Sequence, residues 1–373
     1  MRIVYFVNTA WYFELHWLDR VNKLVDDGYE VHLITCFTDI NIKKRLEHLG
    51  IKCWNVNIDR FSINIFSNVK NLIAVMKLLN SIKPDLIHTI TIKPNLIGGI
   101  IARFKSVPQI ISIVGLGRVF LKDNLLKKIV TLLYKTVIYK NNKVQIIFEH
   151  ASDKNTLQKV VSINPCNLYV IDGAGIDTDK FKYHPEKKDG DFTILFASRL
   201  LKSKGLEILV ESVKKLKAEG VCLELLVAGI IDEEDPDRIP LEQVKEWENE
   251  GLLKWLGMRN DVENLLKECN VMVLPTKYAE GIPRIILEAC SIGRSCIVGD
   301  MPGCKSIIED KVNGVVLKQH SVDALSASLK FLAQNPGIRK SYGFKSSEII
   351  KRKFSKEIII GKTLEVYKKA LCK

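Results

Sequence analysis

Short apolar runs recur along the 373 residues, at 3–7, 30–35, 52–56, 86–90, 109–113, 145–148 and 168–171. Runs this continuous read as parallel strands buried on both faces. Between them, apolar residues return with helical spacing, as at 15–26 and 69–79. The alternation predicts a doubly wound α/β sheet. The series restarts at 192–197 and continues through 223–228, 253–255, 271–274, 295–298 and 314–317. Two Rossmann-like domains are therefore expected. The polar run His184-Pro185-Glu186-Lys187-Lys188-Asp189-Gly190 reads as the linker. The expected division is 1–183, 184–355 and a last helix, 356–373, that can pack back on the first domain.

Length alone favours two cores over one. Apolar content of 47% and charged content of 27% suit a soluble globular protein. No stretch reaches the roughly 20 uninterrupted apolar residues that span a bilayer. The opening Met1-Arg2-Ile3-Val4-Tyr5-Phe6-Val7 is too short for a signal-peptide core and reads as a first strand. The nine cysteines are scattered, none in a C-x-x-C pair, which favours reduced thiols in the cytosol. The seven histidines are dispersed too, so no metal site is expected. Charge is uneven. Residues 1–190 hold 27 of the 56 Lys and Arg but 17 of the 43 acidic residues. This half therefore carries most of the net charge of +13, which suits an anionic membrane surface, a phosphorylated acceptor or nucleic acid. No aromatic-basic nucleic-acid motif accompanies it.

The densest chemistry lies at Lys277-Tyr278-Ala279-Glu280-Gly281-Ile282-Pro283-Arg284-Ile285-Ile286-Leu287-Glu288. A strand, 271–274, runs into a short loop, and Pro283 suits the first turn of a helix. A helix N-terminus offers free N–H groups and partial positive charge to a diphosphate. Glu280 and Glu288 beside it can bind hydroxyls, so a nucleotide sugar fits. A plain strand–helix unit with one capping and one solvated Glu has the same spacing. Upstream, Arg199 and Lys204 follow a strand in Ser198-Arg199-Leu200-Leu201-Lys202-Ser203-Lys204-Gly205 and can clamp a diphosphate. A solvated basic loop would look alike.

These segments together resemble glycosyltransferase family 4. The Glu pair resembles its E-x7-E signature, and the 199–205 turn resembles its G-R-L…K-G segment. Leu225-Leu226-Val227-Ala228-Gly229, Trp255-Leu256-Gly257, Asn260-Asp261-Val262, Asp300-Met301-Pro302-Gly303 and Asn313-Gly314 follow in the family's order. The resemblance implies a GT-B fold, two facing doubly wound domains with a cleft between them, and retention at the anomeric carbon. It implies that Arg199 and Lys204 hold the donor phosphates and that Glu280 contacts the donor sugar. Glu288 would bind ribose, and Gly281, Ile282 and Arg284 would offer backbone N–H groups. Met258 and Arg259 would lie near the base.

In the first half, His88-Thr89-Ile90-Thr91-Ile92-Lys93-Pro94-Asn95-Leu96-Ile97-Gly98 resembles an H-T-x-x-x-K-P-N-x-x-G segment. Val114-Gly115-Leu116-Gly117 and Gly173-Ala174-Gly175-Ile176-Asp177 match two turns of the same branch. That branch builds O-antigens, capsules and glycans on polyprenyl diphosphate. It implies a catalytic role for His88 and acceptor contacts from His16, Lys93 and Asn95. A lone strand-end histidine is equally readable as structural. Departures from the family pattern are Trp17 where Arg is usual, and Val114-Gly115 where many members place a His. Glu149-His150 stands where the branch reads Q-N, and Ser306 stands where an acidic residue is common. Residues 119–143 mix lysines with apolar residues at helical spacing, which suits a helix lying on a membrane or an ordinary core helix.

The expected protein is a cytoplasmic glycosyltransferase, peripheral on the inner face of the membrane. It would use a UDP-sugar as co-substrate, a lipid-linked saccharide as acceptor, and no metal or other cofactor. A transferase or epimerase with a soluble substrate is one alternative, and a nucleic-acid-binding protein another.

Overall fold

The computed structural model describes residues 1–58, 64–116, 118–120, 123–186, 191–278 and 281–372. The chain divides into two compact units, Met1–Gly175 with Lys356–Lys373, and Ile176–Ser355.

Among the described residues, unit 1 is built on a parallel sheet of β1 (Arg2–Thr9), β2 (Glu30–Cys36), β3 (Lys52–Asn55), β4 (Leu86–Ile90), β5 (Gln109–Ile113), β6 (Val144–Phe148) and β7 (Leu168–Val170). Their order across the sheet is β3-β2-β1-β4-β5-β6-β7. The connecting helices are α1 (Ala10–Asp26), α2 (Ile40–His48), α3 (Ile65–Ile82), α4 (Ile92–Lys105), α5 (Leu125–Ile138) and α6 (Ala151–Gln158).

Strand residues alternate between two cores. Ile3, Tyr5, Leu33, Leu86 and Ile110 pack under α1, α2 and the last helix of the chain. Val4, Phe6, Ile34 and Ile87 pack under α3 and α4 on the opposite face. Ile111, Ile146 and Phe148 face α4 and α5. All five residues of β4 are buried, the pattern of a strand covered on both faces. Gly98 and Gly99 let α4 approach closely. A Cβ on Gly98 would stand 2.5 Å from Thr89 Cγ2, and one on Gly99 2.6 Å from Val137 Cγ1. The G of the lysine–proline–asparagine segment is thus a packing residue.

Unit 2 has β8 (Phe192–Ala197), β9 (Leu223–Ala228), β10 (Lys254–Trp255), β11 (Val271–Leu274), β12 (Ser295–Gly299) and β13 (Val315–Leu317), in the order β10-β9-β8-β11-β12-β13. Its helices are α7 (Leu206–Ala218), α8 (Leu241–Asn249), α9 (Val262–Glu268), α10 (Arg284–Ile292), α11 (Pro302–Lys305), α12 (Val322–Gln334) and α13 (Pro336–Lys353). The last helix, α14 (Lys356–Leu371), belongs to unit 1, where Ile359, Val366, Tyr367 and Ala370 join the core.

Three expectations are corrected. The first unit ends at Gly175, not at 183. Ile176 is buried in the unit 2 core, and its N–H donates to Phe354 O at 2.9 Å. The Phe181 carbonyl accepts from Ser291 at 2.6 Å. Glu186, inside the run read as a linker, is buried against Arg339 instead. Pairing offsets part of the cost of burying its charge, and polarity alone does not reveal the partner. Second, 119–143 is not one helix. A 3-10 turn at Arg118–Phe120 precedes α5, which starts where Asn124 accepts from Lys127 N at 3.0 Å. Third, Pro283 is the N-cap of α10 rather than a residue of its first turn. Residues 187–190 of the expected linker lie outside the described residues.

Candidate functional site

In unit 2 the sheet order reverses between β8 and β11, the place where open parallel sheets bind ligands. The loops leaving these two strands are fastened together. Lys277 N donates to Ser203 O at 2.8 Å, and Thr276 Oγ1 donates to the same oxygen at 3.3 Å. Gly205 makes the approach possible. It sits at φ +83, and a Cβ there would stand 2.4 Å from the Pro275 carbonyl oxygen.

Lys204 is 5% exposed and holds its ammonium 5.1 Å above the Tyr278 ring. The basic turn is therefore not a solvated loop at Lys204. It is folded against the segment that leads into α10. Gly281 and Ile282 are buried at the N-terminus of α10, where backbone N–H groups lack helical acceptors. Glu280 lies outside the described residues.

One turn into α10, Arg284 Nε donates to Glu288 Oε1 at 2.8 Å. Burial pushes the Glu288 carboxyl above its usual pKa, with Arg284 and Lys180 opposing. The helix thus keeps a carboxylate inside the protein by pairing it with its own i−4 neighbour.

Arg199 is braced differently from the free phosphate clamp expected. Its guanidinium lies 3.4 Å from both Asp232 and Asp235, in the loop after β9. Asp237 of that loop accepts from the N–H of Ser203 at 3.2 Å and also from its hydroxyl. The acidic run Asp232-Glu233-Glu234-Asp235-Pro236-Asp237 was visible in the sequence. Its position after a strand was the signal that it faces the same edge. Met258 is 72% exposed, in the turn after β10. Arg259 next to it forms two bonds to Asp261, at 2.7 and 2.6 Å. Both follow the carboxyl end of β10.

The first-half residues separate into two groups. His88 is fully buried, ringed by Tyr5, Trp17 and Tyr367. Its Nε2 bonds Ser112 Oγ at 2.7 Å and its Nδ1 bonds the Tyr367 hydroxyl. Burial, with Arg20 adding to it, pushes its pKa well below the usual value. Both nitrogens are spent, so the catalytic role expected of His88 does not fit its place; it is a core histidine. Asn95 is 1% exposed, with Nδ2 donating to Ser112 O at 3.1 Å and Oδ1 without a partner among the described residues. Lys93 stands half-buried in the first turn of α4. His16 is half-buried on α1, its ring 4.4 Å from that of Tyr12.

Sequence reasoning missed Arg20. It is buried on α1, stacks 4.3 Å over the Trp17 ring, and donates to His16 O and Gly173 O. Glu149 is buried too, and burial pushes its carboxyl up to about 7, against the pull of Arg20. A lone arginine in an amphipathic helix gave no warning of this.

Two family models match the chain, Glycosyl transferase 4-like over residues 2–150 and Glycosyl transferases group 1 over 177–348. The chain is a family 4 glycosyltransferase of the GT-B fold. Among its relatives is the Campylobacter jejuni N,N'-diacetylbacillosaminyl-diphospho-undecaprenol alpha-1,3-N-acetylgalactosaminyltransferase, 28% identical over 88% of each chain. The Escherichia coli UDP-Gal:alpha-D-GlcNAc-diphosphoundecaprenol alpha-1,3-galactosyltransferase is 27% identical over 72% of this chain and 71% of its own. Among solved structures, Anabaena HepE in complex with UDP superposes with a TM-score of 0.77 at 16% identity, covering 99% of this chain and 100% of that one. In the glycosyltransferase, the fastened loops of unit 2 lie within the group 1 match and the His88–Asn95 segment within the 4-like match.

Proposed function

We propose that this enzyme moves a hexose or N-acetylhexosamine from a UDP-sugar to a saccharide carried on polyprenyl diphosphate, with retention at the anomeric carbon. The observation that carries the donor half is the fastening of the basic turn to the loop that leaves β11 toward α10, with Lys204 buried against Tyr278 of that loop. In transfer, the bond from the sugar C1 to the phosphate oxygen breaks, a bond from C1 to the acceptor hydroxyl oxygen forms, and that hydroxyl's proton passes to the departing phosphate. Negative charge collects on the departing UDP. Lys204, Arg199 and the N–H groups at Gly281, Ile282 and Arg284 are assigned to stabilise it. Glu288 is assigned to ribose and Glu280 to the donor sugar. These cations and amides supply the countercharge, so no divalent ion is proposed to be needed.

The acceptor half is supported by the two relatives named for diphospho-undecaprenol substrates and by the basic first half of the chain. We place the enzyme on the inner face of the membrane, held there by unit 1. On α5, Val130, Tyr134 and Val137 enter the core, while Leu125, Ile129 and Leu132 stay exposed beside Lys128 and Lys135. On α3, Phe66, Val69 and Ile73 are exposed beside Lys70. Apolar side chains interleaved with lysines suit an anionic bilayer interface. No helix among the described residues is long and apolar enough to cross a membrane.

The test is transfer from a panel of UDP-sugars to N-acetylglucosaminyl-diphospho-undecaprenol, read as UDP release and as lipid-linked product. One donor should support turnover, and a chelator should leave the rate unchanged. Turnover only with a water-soluble acceptor, or only with added metal, would overturn the corresponding half of the proposal.

A further inference from the structure

The carboxyl edge of the unit 1 sheet holds buried polar atoms that find no partner among the described residues. They include Asn8 Oδ1, Thr91 Oγ1, Asn95 Oδ1 and Glu149 Oε1, and on α1 the Trp17 Nε1 and Arg20 Nε groups are orphaned too. The strand register lines several of them up. Phe6 pairs with Thr89, Ile90 with Ser112, and Ile113 with Phe148. Carried past the strand ends, the register sets Asn8 opposite Thr91 and brings Thr91 level with Ile113 and Phe148, the residue before Glu149. Thr91 is held at φ 73, a strained conformation for a β-branched residue and one that gathers at functional sites.

Glu149 is the most costly member of the set. It is 7% exposed, and its N–H is fixed to the Ile113 carbonyl at 3.1 Å. The charges that act on it are Arg20 from α1 and Asp153 from α6. Arg20 has committed two nitrogens to the carbonyls of His16 and Gly173, at 3.0 and 2.9 Å. A buried carboxyl oxygen left without a donor carries a desolvation cost that a bound O–H or N–H removes. The chemistry of the whole set is mixed. Four orphans are oxygens that can accept, and two are N–H groups that donate. An anion would satisfy only the donors. A sugar ring, whose hydroxyls donate and accept, satisfies both.

We propose that Glu149 accepts a hydrogen bond from one hydroxyl or amide N–H of the acceptor's sugar and so determines which saccharide the enzyme accepts. The assignment rests on the acceptor reading above and adds to it the residue that discriminates.

The experiment compares wild type, Glu149→Gln and Glu149→Asp. The probes are N-acetylglucosaminyl-diphospho-undecaprenol and analogues lacking single hydroxyls or the acetamido group. Gln keeps the shape and removes the charge, and Asp keeps the charge and withdraws the oxygen. Wild type should disfavour one analogue by about tenfold to a hundredfold in kcat/KM, the range of a hydrogen bond to a charged group. Both variants should lose most of that discrimination while their UDP affinity, read by calorimetry, stays at the wild-type level. A purely structural role would lower kcat/KM for every probe by the same factor, and that result overturns the proposal. So does unchanged discrimination in both variants. If wild type transfers to none of the lipid-linked probes, the acceptor reading falls and this inference with it.

Discussion

Arg199 and Lys204 are both cations of one turn, yet the fold gives them different energetics. Lys204 is buried against Tyr278, so removing it deletes a contact that solvent cannot replace. Lys204→Ala should weaken UDP binding by roughly tenfold or more, the scale of a charge-assisted hydrogen bond. Arg199 shares its charge with Asp232 and Asp235. Those carboxylates compete with a phosphate for the same guanidinium and repel the phosphate as well. Asp232→Asn should therefore tighten UDP binding by a few-fold, and Arg199→Ala should weaken it further than the lost contact alone, since two acids remain unneutralised. Calorimetry on the three variants checks the order. Equal UDP affinity in wild type and Asp232→Asn would mean that the acidic loop does not act on the donor.

At the scale of elements, α5 combines two readings that looked exclusive. Its inner stripe packs in the core of unit 1, and its outer stripe carries leucine and isoleucine among lysines. Each lysine near an anionic surface adds about 1 kcal/mol of attraction. Reversal of Lys128 and Lys135 to Glu should release the protein from anionic liposomes at low salt. Leu132→Asp should weaken binding with less dependence on salt, because it removes an apolar contact rather than a screened charge. Sedimentation with anionic vesicles checks both, and UDP affinity should not change. Wild-type levels of vesicle binding in all variants would assign membrane contact elsewhere.

At the scale of the whole molecule, the chain's last helix completes the core laid down by its first strand. The Tyr367 hydroxyl donates to Tyr5 at 2.6 Å and bonds His88. Both phenols and the histidine are buried, and each satisfies another. Tyr367→Ala should cost unit 1 roughly 3–5 kcal/mol, the range for deleting a large buried aromatic, with an unpaired histidine nitrogen adding to it. Denaturant unfolding followed in unit 1 would measure it. A loss below about 1 kcal/mol would mean that α14 is only loosely docked.

Period and composition determined the two doubly wound units and nearly all strands, because buried parallel strands must be continuous apolar runs. They also located the basic turn and the α10 loop, since glycine, proline and charge punctuate the sequence wherever a strand delivers the chain to a ligand edge. Partnership was decided only by the tertiary structure. Nothing local distinguishes His88, whose nitrogens are both used in the core, from a histidine free to exchange protons. Nothing local shows that Glu186 is buried against Arg339, 153 residues away, or that Arg199 answers to the loop after the next strand. Glu149 and Arg20 lie on different elements, and the charge of one acts on the other only once the sheet is assembled. A charged residue's role depends on what surrounds it in space, and for these residues the surroundings come from distant parts of the chain.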